Sequence, residues 1–155
     1  MTERHPVTPV GVDSVLYFAP GRILDPDAYH SGGGGMAGTA DDYLRLLEAI
    51  RTGGGPILKP ETVAAAVVNQ IGDIPRDAPP DLGWRFGFLS AVLADPVLAN
   101  TPHAPGTLQW GGAYGHTWFI DPAERLSAVI LTNTAFEGVT GQYPVEIRDA
   151  IYGRA

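Results

Sequence analysis

The sequence predicts an α+β fold in which an antiparallel sheet is flanked by helices. Two helical patterns lie between residues 39 and 70, several strand-like segments follow between residues 84 and 133, and a helical pattern ends the chain. Strands that follow one another, instead of alternating with helices, favour antiparallel pairing over a parallel βαβ sheet. A length of 155 residues predicts one domain, residues 1–155.

The first helix is predicted directly after a glycine-rich segment, residues 31–38. Thr39 is suited to the N-cap position, and Gly53 is suited to end the helix. Four apolar residues between them follow the helical spacing i, i+3, i+4, i+7: Tyr43, Leu46, Leu47 and Ile50. The spacing therefore predicts one buried helix face.

Two further helices are predicted from proline positions and apolar spacing. One covers residues 61–70, with Pro60 in its first turn, and the other covers residues 144–152. Residues 1–30 are a loop-rich lead-in that holds at most one short strand, in residues 15–19.

The sheet is predicted from four apolar segments separated by polar or proline-rich loops. Residues 84–88 alternate large apolar residues with Arg or Gly, which is the period of a strand. Three more strands are expected at residues 107–110, 115–120 and 126–133. The last two are joined by residues 121–125, a length suited to a hairpin.

Composition excludes several classes of protein. The chain has 10 Lys and Arg against 17 Asp and Glu, a net charge of −7, and no basic run, so neither nucleic acid nor an anionic membrane is an expected partner. Its longest apolar stretch, residues 63–68, is far shorter than the ~20 residues that cross a bilayer. The absence of cysteine excludes disulfides and thiol catalysis. The first residues do not form a signal peptide; any signal of a longer protein would lie upstream, which leaves the compartment open, with the cytoplasm as default.

Glycines 33, 35 and 38 match the dinucleotide-binding pattern G-x-G-x-x-G. That site also needs a strand before the glycines and an acidic residue about 20 positions later. Residues 25–30 do not have a strand pattern, and the later position holds Lys59. We therefore interpret the glycines as a tight turn into the helix and expect no cofactor.

The usual catalytic and metal-binding patterns are also missing. None of the four serines (Ser14, Ser31, Ser90 and Ser127) lies in G-x-S-x-G or S-x-x-K. The four histidines (His5, His30, His103 and His116) lack metal-ligand spacing, so we expect solvated side chains and no metal site. Asp41 and Asp42 lie at a helix start, where the helix dipole explains them.

The remaining candidate is the segment 110–122, which begins Trp-Gly-Gly-Ala-Tyr-Gly-His. Glycines directly after a strand allow a ligand to lie against the backbone, where exposed N–H groups can donate to an oxyanion. A glycine bend between two strands explains the same pattern without a ligand. The spacing alone leaves both interpretations open.

Four stretches in order resemble the C-terminal part of serine β-lactamase-like hydrolases, a family that includes class C β-lactamases, D-Ala-D-Ala carboxypeptidases and related esterases. They are residues 31–43, 58–63, 84–88 and 110–122. The resemblance implies a partial β-lactamase/transpeptidase-like fold. It also implies acyl transfer through a serine nucleophile on a small-molecule ester or amide.

The resemblance carries over to four site residues. Trp110, Gly111 and Gly112 occupy the place of the family's third active-site motif and would line the substrate cleft. The backbone N–H of Ala113 would be one oxyanion donor. The nucleophile motif S-x-x-K and the Tyr-x-Asn motif are absent from this sequence.

The missing motifs suggest that this chain is a truncated member of the family and is inactive alone. Whether the chain acts as an enzyme is therefore left open. The alternative is a non-catalytic binding or interaction module with the same half-fold. In the family, the strand matching residues 126–133 pairs with strands from the N-terminal part. An unpaired edge on this uncharged strand predicts self-association of the isolated chain.

Overall fold

The computed structural model describes residues 5–8, 13, 15–74 and 81–154. Its strands are β1 (His5–Val7), β2 (Leu16–Phe18), β3 (Trp84–Phe86), β4 (Ala91–Leu93), β5 (Leu108–Gly111), β6 (His116–Asp121) and β7 (Leu126–Leu131). Its α-helices are α1 (Ala40–Arg51), α2 (Pro60–Ala66), α3 (Glu137–Thr140) and α4 (Tyr143–Ile151). None of the helices in these residues is long and apolar enough to span a membrane.

Strands β3 to β7 form one antiparallel sheet in sequence order. The longest pairing joins β6 and β7 in a hairpin, from His116 opposite Leu131 to Asp121 opposite Leu126. Strand β5 pairs along the other side of β6, with Trp110 opposite Trp118. The predicted fold class, an antiparallel sheet with flanking helices, is therefore confirmed.

Helices α1 and α2 supply apolar side chains to the core cluster on one face of the sheet. The N-cap of α1 forms as predicted, because the Thr39 hydroxyl accepts a hydrogen bond from the Asp42 N–H at 3.1 Å. Of the predicted apolar face, Leu47 and Ile50 are buried, whereas Tyr43 and Leu46 remain more than a third exposed. The buried members of this core cluster are Leu47, Ile50, Val63, Val92, Leu108, Trp118 and Ile120.

Aromatic side chains from the sheet, the β4–β5 loop and the C-terminal end of the chain form a second cluster. His103 in the loop between β4 and β5 lies against Phe119 and Tyr152, with ring centroids 4.6 and 5.2 Å away. Trp84 approaches the same imidazole edge-on at 6.4 Å. This cluster ties the long β4–β5 loop to the residue that follows α4.

Several predicted boundaries differ from the structure. Helix α2 ends at Ala66 rather than at residue 70, because the chain turns there and the Gln70 N–H donates to the Phe86 carbonyl at 2.8 Å. Strand β3 ends at Phe86, and Phe88 is exposed. Strands β1 and β4 and helix α3 were not predicted, since their three or four residues show neither alternation nor helical spacing. The predicted loop over residues 75–82 lies mostly outside the described residues.

Strand β7 is an edge of this sheet: within the described part of the chain, its only strand partner is β6. Its sequence, Leu-Ser-Ala-Val-Ile-Leu, contains no charge and no proline. Ile130 is buried, but Leu131 is 54% exposed. An uncharged strand with an open side is therefore present.

Candidate functional site

The candidate site is the turn between β5 and β6, residues 112–115. The Gly112 N–H donates to the His116 carbonyl at 2.8 Å, and the Gly115 N–H donates to the Gly112 carbonyl at 3.0 Å. Gly115 has a φ of +104°, while Ala113 and Tyr114 have no positive φ. These features are typical of a type I turn followed by a bulge residue, a position that favours glycine.

Hydrogen bonds occupy the carbonyl groups of this turn. The Ala113 carbonyl accepts from the Phe136 N–H at 2.8 Å. The Gly115 carbonyl accepts from the Thr132 hydroxyl at 2.8 Å. By contrast, the N–H groups of Ala113 and Tyr114 donate no hydrogen bond within the described residues. Two successive backbone donors are thus available at the tip of the turn.

Both glycines before the turn have packing partners. A Cβ at Gly111 would overlap the carbonyl of Gly138, and a Cβ at Gly112 would overlap the imidazole of His116. Close packing is therefore a sufficient reason for glycine at both positions. It does not involve Ala113, the predicted oxyanion donor.

Trp110 is 42% exposed at the end of β5. Its ring lies 5.7 Å from that of Phe86, centroid to centroid, and its carbonyl accepts from the Thr117 hydroxyl at 3.0 Å. The exposed indole is therefore held next to the glycines, where an apolar substrate group could pack against it. The structure brings the four predicted site residues together because they are consecutive in the chain.

An open recess of about 460 Å³ adjoins the turn on the side of α3. It is lined by Leu131, Thr132, Thr134, Glu137 and Tyr143. Thr132 and Thr134 also flank Gly115, where an added Cβ would lie 2.6 Å from the Thr132 hydroxyl oxygen and 2.5 Å from the Thr134 carbonyl. The recess and the turn therefore share a wall.

One of the four histidines does not fit the expectation of a solvated side chain. His103 is buried, with 2% of its surface exposed, and neither ring nitrogen has a hydrogen-bond partner among the described residues. Burial, reinforced by the nearby Arg148 charge, lowers the pKa of His103 to about 4. His30 and His116 are exposed, and the described residues contain no group of three potential metal ligands.

The other sequence candidates have structural explanations or lie elsewhere. Residues 25–30 do not form the strand that a dinucleotide site needs before the glycine pattern. Close packing explains the glycine at position 35, because a Cβ there would lie 2.9 Å from the Ser31 backbone nitrogen. Asp42 accepts from Thr39 and pairs with Arg45 at the start of α1. Ser90 is buried and Ser127 lies on β7, whereas Ser14 lies outside the described residues.

Sequence analysis missed the residues that hold the turn from outside, Phe18, Thr132 and Phe136. The rings of Phe18 and Tyr114 are 4.6 Å apart, and those of Phe18 and Phe136 are 5.6 Å apart. Contacts between residues so distant in sequence leave no local periodicity, so no pattern in the chain could have indicated them.

Comparison with known proteins identifies the relatives of this chain. The Beta-lactamase family model matches residues 3–150. Esterase EstB of Burkholderia gladioli is 53% identical over 147 residues, which are 94% of this chain and 36% of that protein. Protein Rv1367c of Mycobacterium tuberculosis is 32% identical over 120 residues, 70% of this chain and 30% of that protein. This chain spans about a third of the length of these relatives.

A solved structure agrees with these matches. EstCE1, described as a hydrolase with promiscuous acyltransferase activity, superposes with a TM-score of 0.81 at 50% identity. The match covers 96% of this chain and 39% of EstCE1. The chain therefore corresponds to a portion of each of these longer proteins. The chain belongs to the Beta-lactamase family.

Proposed function

We propose that this chain forms one wall and one oxyanion donor of an acyl-transfer site that hydrolyses a small-molecule ester or amide. The observation that carries the proposal is the Ala113 N–H, which donates no hydrogen bond within the described residues, whereas the N–H groups of Gly112 and Gly115 in the same turn are bonded. An N–H fixed in a rigid turn can stabilise the negative oxygen of a tetrahedral intermediate. The exposed Trp110 ring beside it would contact the substrate.

The reaction needs groups that this sequence does not carry. In acyl transfer, a serine attacks the carbonyl carbon while a base takes its proton, and water later releases the acyl group. The sequence contains neither S-x-x-K nor Tyr-x-Asn. Nucleophile and base act as a unit, so their loss removes nearly all of the rate acceleration. We therefore expect the chain to be inactive until a second polypeptide supplies them; the mechanism uses no cofactor.

The test is hydrolysis of p-nitrophenyl butyrate and nitrocefin by the purified chain, alone and co-expressed with the part of Esterase EstB that the chain does not match. We expect background rates alone and ester hydrolysis from the complex. Ala113→Pro, which removes the N–H, should lower kcat at least about 100-fold, whereas Ala113→Ser keeps the donor and should stay within a few-fold. A product burst and an acyl adduct on the chain alone would contradict the proposal.

The open edge of β7 supports a proposal about association. Unpaired N–H and C=O groups along an uncharged strand are a template for pairing with another chain. We expect the isolated chain to self-associate at low micromolar concentration in sedimentation velocity. Leu131→Lys places a charge on the exposed end of the strand and should shift the chain toward monomer, while Val97→Lys, in an exposed loop, should not. A monomeric wild-type chain would refute the proposal.

A non-catalytic module is the second candidate, and the packing of Gly111 and Gly112 favours it. Their lack of side chains is explained by the Gly138 carbonyl and the His116 ring, so no substrate is needed to account for them. Under this alternative, the complex with the EstB part would form without ester hydrolysis. The activity assay of the complex separates the two candidates.

A further inference from the structure

His103 is a buried titratable side chain that the proposed reaction does not use. Its exposed fraction is 2%, and neither ring nitrogen has a hydrogen-bond partner among the described residues. A neutral imidazole has one N–H donor, whereas the protonated ring has two donors and a positive charge. A proton on His103 would therefore place a charge where no described group accepts its hydrogen bonds, which is costly inside a protein.

Helix α4 and the residue that follows it cover this ring. The ring of Tyr152, directly after α4, lies 5.2 Å from the imidazole, centroid to centroid. The Tyr152 hydroxyl donates to the Asp121 carboxylate at the end of β6 at 2.6 Å. One ring contact and one hydrogen bond thus attach the C-terminal end of α4 to His103 and to the sheet.

The rest of α4 packs loosely. None of its nine residues is buried. A cavity of about 50 Å³ lies between the helix and the sheet, with Pro144, Val145 and Arg148 on the helix side and His103 among the residues opposite. Segments with little buried apolar surface open at a lower cost in free energy than the core. Helix α4 should therefore open more easily than the strands that also contact His103.

The charged and titratable groups around His103 lie on β6 and at the C-terminal end of the chain: Asp121, Arg148, Asp149 and Tyr152. The other rings against the imidazole, Trp84 and Phe119, are uncharged. Both carboxylates favour a proton on His103, but Asp121 already accepts from Tyr152 and Asp149 from the Arg148 guanidinium. Burial and the Arg148 charge outweigh them and lower the pKa of His103 to about 4.

We infer that His103 is a pH-sensitive switch for the docking of α4: the neutral ring keeps Tyr152 and the helix on the sheet, and a proton taken from solvent by the ring nitrogen releases them while the sheet stays folded. Tyr143, the first residue of α4, lines the recess beside the candidate turn, so release of the helix also removes part of that wall. The switch does not depend on the proposed catalysis.

Native-state hydrogen exchange of the full chain, followed by mass spectrometry at pH 7 and pH 5, tests this switch. Protection factors correct for the intrinsic effect of pH on exchange. A nine-residue helix is marginal in water by itself, so its amides exchange once it leaves the sheet. Residues 143–152 should be at least tenfold less protected than residues 116–121 at both pH values.

The expected pH dependence follows from the two states of His103. In the open form its pKa returns to the ordinary value near 6.5, so a fall in pH favours opening. Protection of residues 143–152 should drop about 20-fold from pH 7 to pH 5. The ordinary pKa of Asp121, 3.8, lies below this window, so its titration adds little.

Three variants assign the effect. His103→Phe keeps a ring against Tyr152 but binds no proton, so protection of residues 143–152 should change less than threefold between the two pH values. Tyr152→Phe keeps the ring and loses the hydrogen bond to Asp121; it should lower protection at both pH values and retain the pH dependence. His30→Gln, at an exposed position, is the control and should behave as the wild type.

Each remaining outcome overturns the inference. Equal protection of residues 143–152 and 116–121 would show that α4 opens only when the whole chain unfolds. Low protection of α4 without a pH dependence would show that the helix opens while His103 stays buried. A 20-fold drop that persists in His103→Phe would assign the pH dependence to other groups.

Discussion

Strand β6 lies between two turns, residues 112–115 before it and the hairpin residues 121–125 after it. The two turns differ in how many of their N–H donors have a hydrogen-bond acceptor. At the hairpin, the Asp121 carboxylate is fully buried and accepts from the N–H groups of Ala104, Ala123 and Glu124 at 3.0 to 3.2 Å. It also accepts from the Tyr152 hydroxyl at 2.6 Å. At the other end, the N–H groups of Ala113 and Tyr114 have no acceptor in the described part of the chain.

The difference separates a structural turn from a candidate binding turn. Burial would raise the pKa of Asp121, but the hydrogen bonds from Tyr152 and three backbone N–H groups outweigh it and lower the pKa. A charged side chain there satisfies four donors from three parts of the chain. The glycine turn uses carbonyl acceptors to fix its shape, which leaves donors for a ligand.

The largest expected effect comes from Asp121→Ala. The substitution leaves four donors in a buried place without an acceptor, so we expect a loss of about 3 to 4 kcal/mol in the free energy of unfolding at pH 7. Urea denaturation measures it, with Asp73→Asn at an exposed position as the control. A loss under about 1 kcal/mol would show that the two turns do not differ in this way.

The pH dependence of stability is the next test, because His103 lies beside the Asp121 hairpin. The folded pKa of His103 is about 4, below the ordinary value near 6.5. Between pH 6.5 and pH 4, the unfolded chain therefore binds a proton that the folded chain does not. Stability should therefore fall by about 3 kcal/mol as the pH falls from 7 to 4. The lowered pKa of Asp121 adds a further loss below its unfolded pKa, as the pH falls through the folded value.

Denaturation at several pH values measures this slope. His103→Phe keeps an aromatic ring among Phe119, Tyr152 and Trp84 and should flatten the slope between pH 6.5 and 4. His30→Gln, at an exposed position, should leave it unchanged. An equally steep slope in His103→Phe would assign the effect to other groups.

The smallest expected effect concerns the glycine turn. Gly115→Ala and Gly106→Ala both place a side chain at positive φ, which costs about 1 kcal/mol. Only Gly115 is also crowded, by Thr132 and Thr134, whereas no atom lies within 4 Å of a Cβ at Gly106. We expect Gly115→Ala to lose about 1 to 2 kcal/mol more. Equal losses in thermal or urea unfolding would show that the turn adapts freely.

Elements with a local signal were predicted well. The N-cap at Thr39 and the hairpin between β6 and β7 follow from side chains within a few residues of one another. The segment 110–122 was selected because its glycines follow a strand. Its role as an oxyanion wall came from the resemblance to a family and stays a prediction.

Elements that depend on distant partners could not be predicted. Strand β4 has three residues, all buried between β3 and β5, and shows no alternation. His103 has no local feature that distinguishes it from an exposed histidine. It is buried because Phe119 and Tyr152, brought there by β6 and the end of α4, surround its ring.

The sequence by itself determined the order of the longer helices and strands, the glycine turn and the absence of a serine nucleophile motif, because each depends on residue types at short spacing. Tertiary structure alone decided which groups of that turn are bonded. The Ala113 carbonyl accepts from the Phe136 N–H, and the ring of Phe136 lies against that of Phe18, far back in the chain. A hydrogen bond depends on the distance and direction between two atoms, and for residues this far apart only the folded chain sets them.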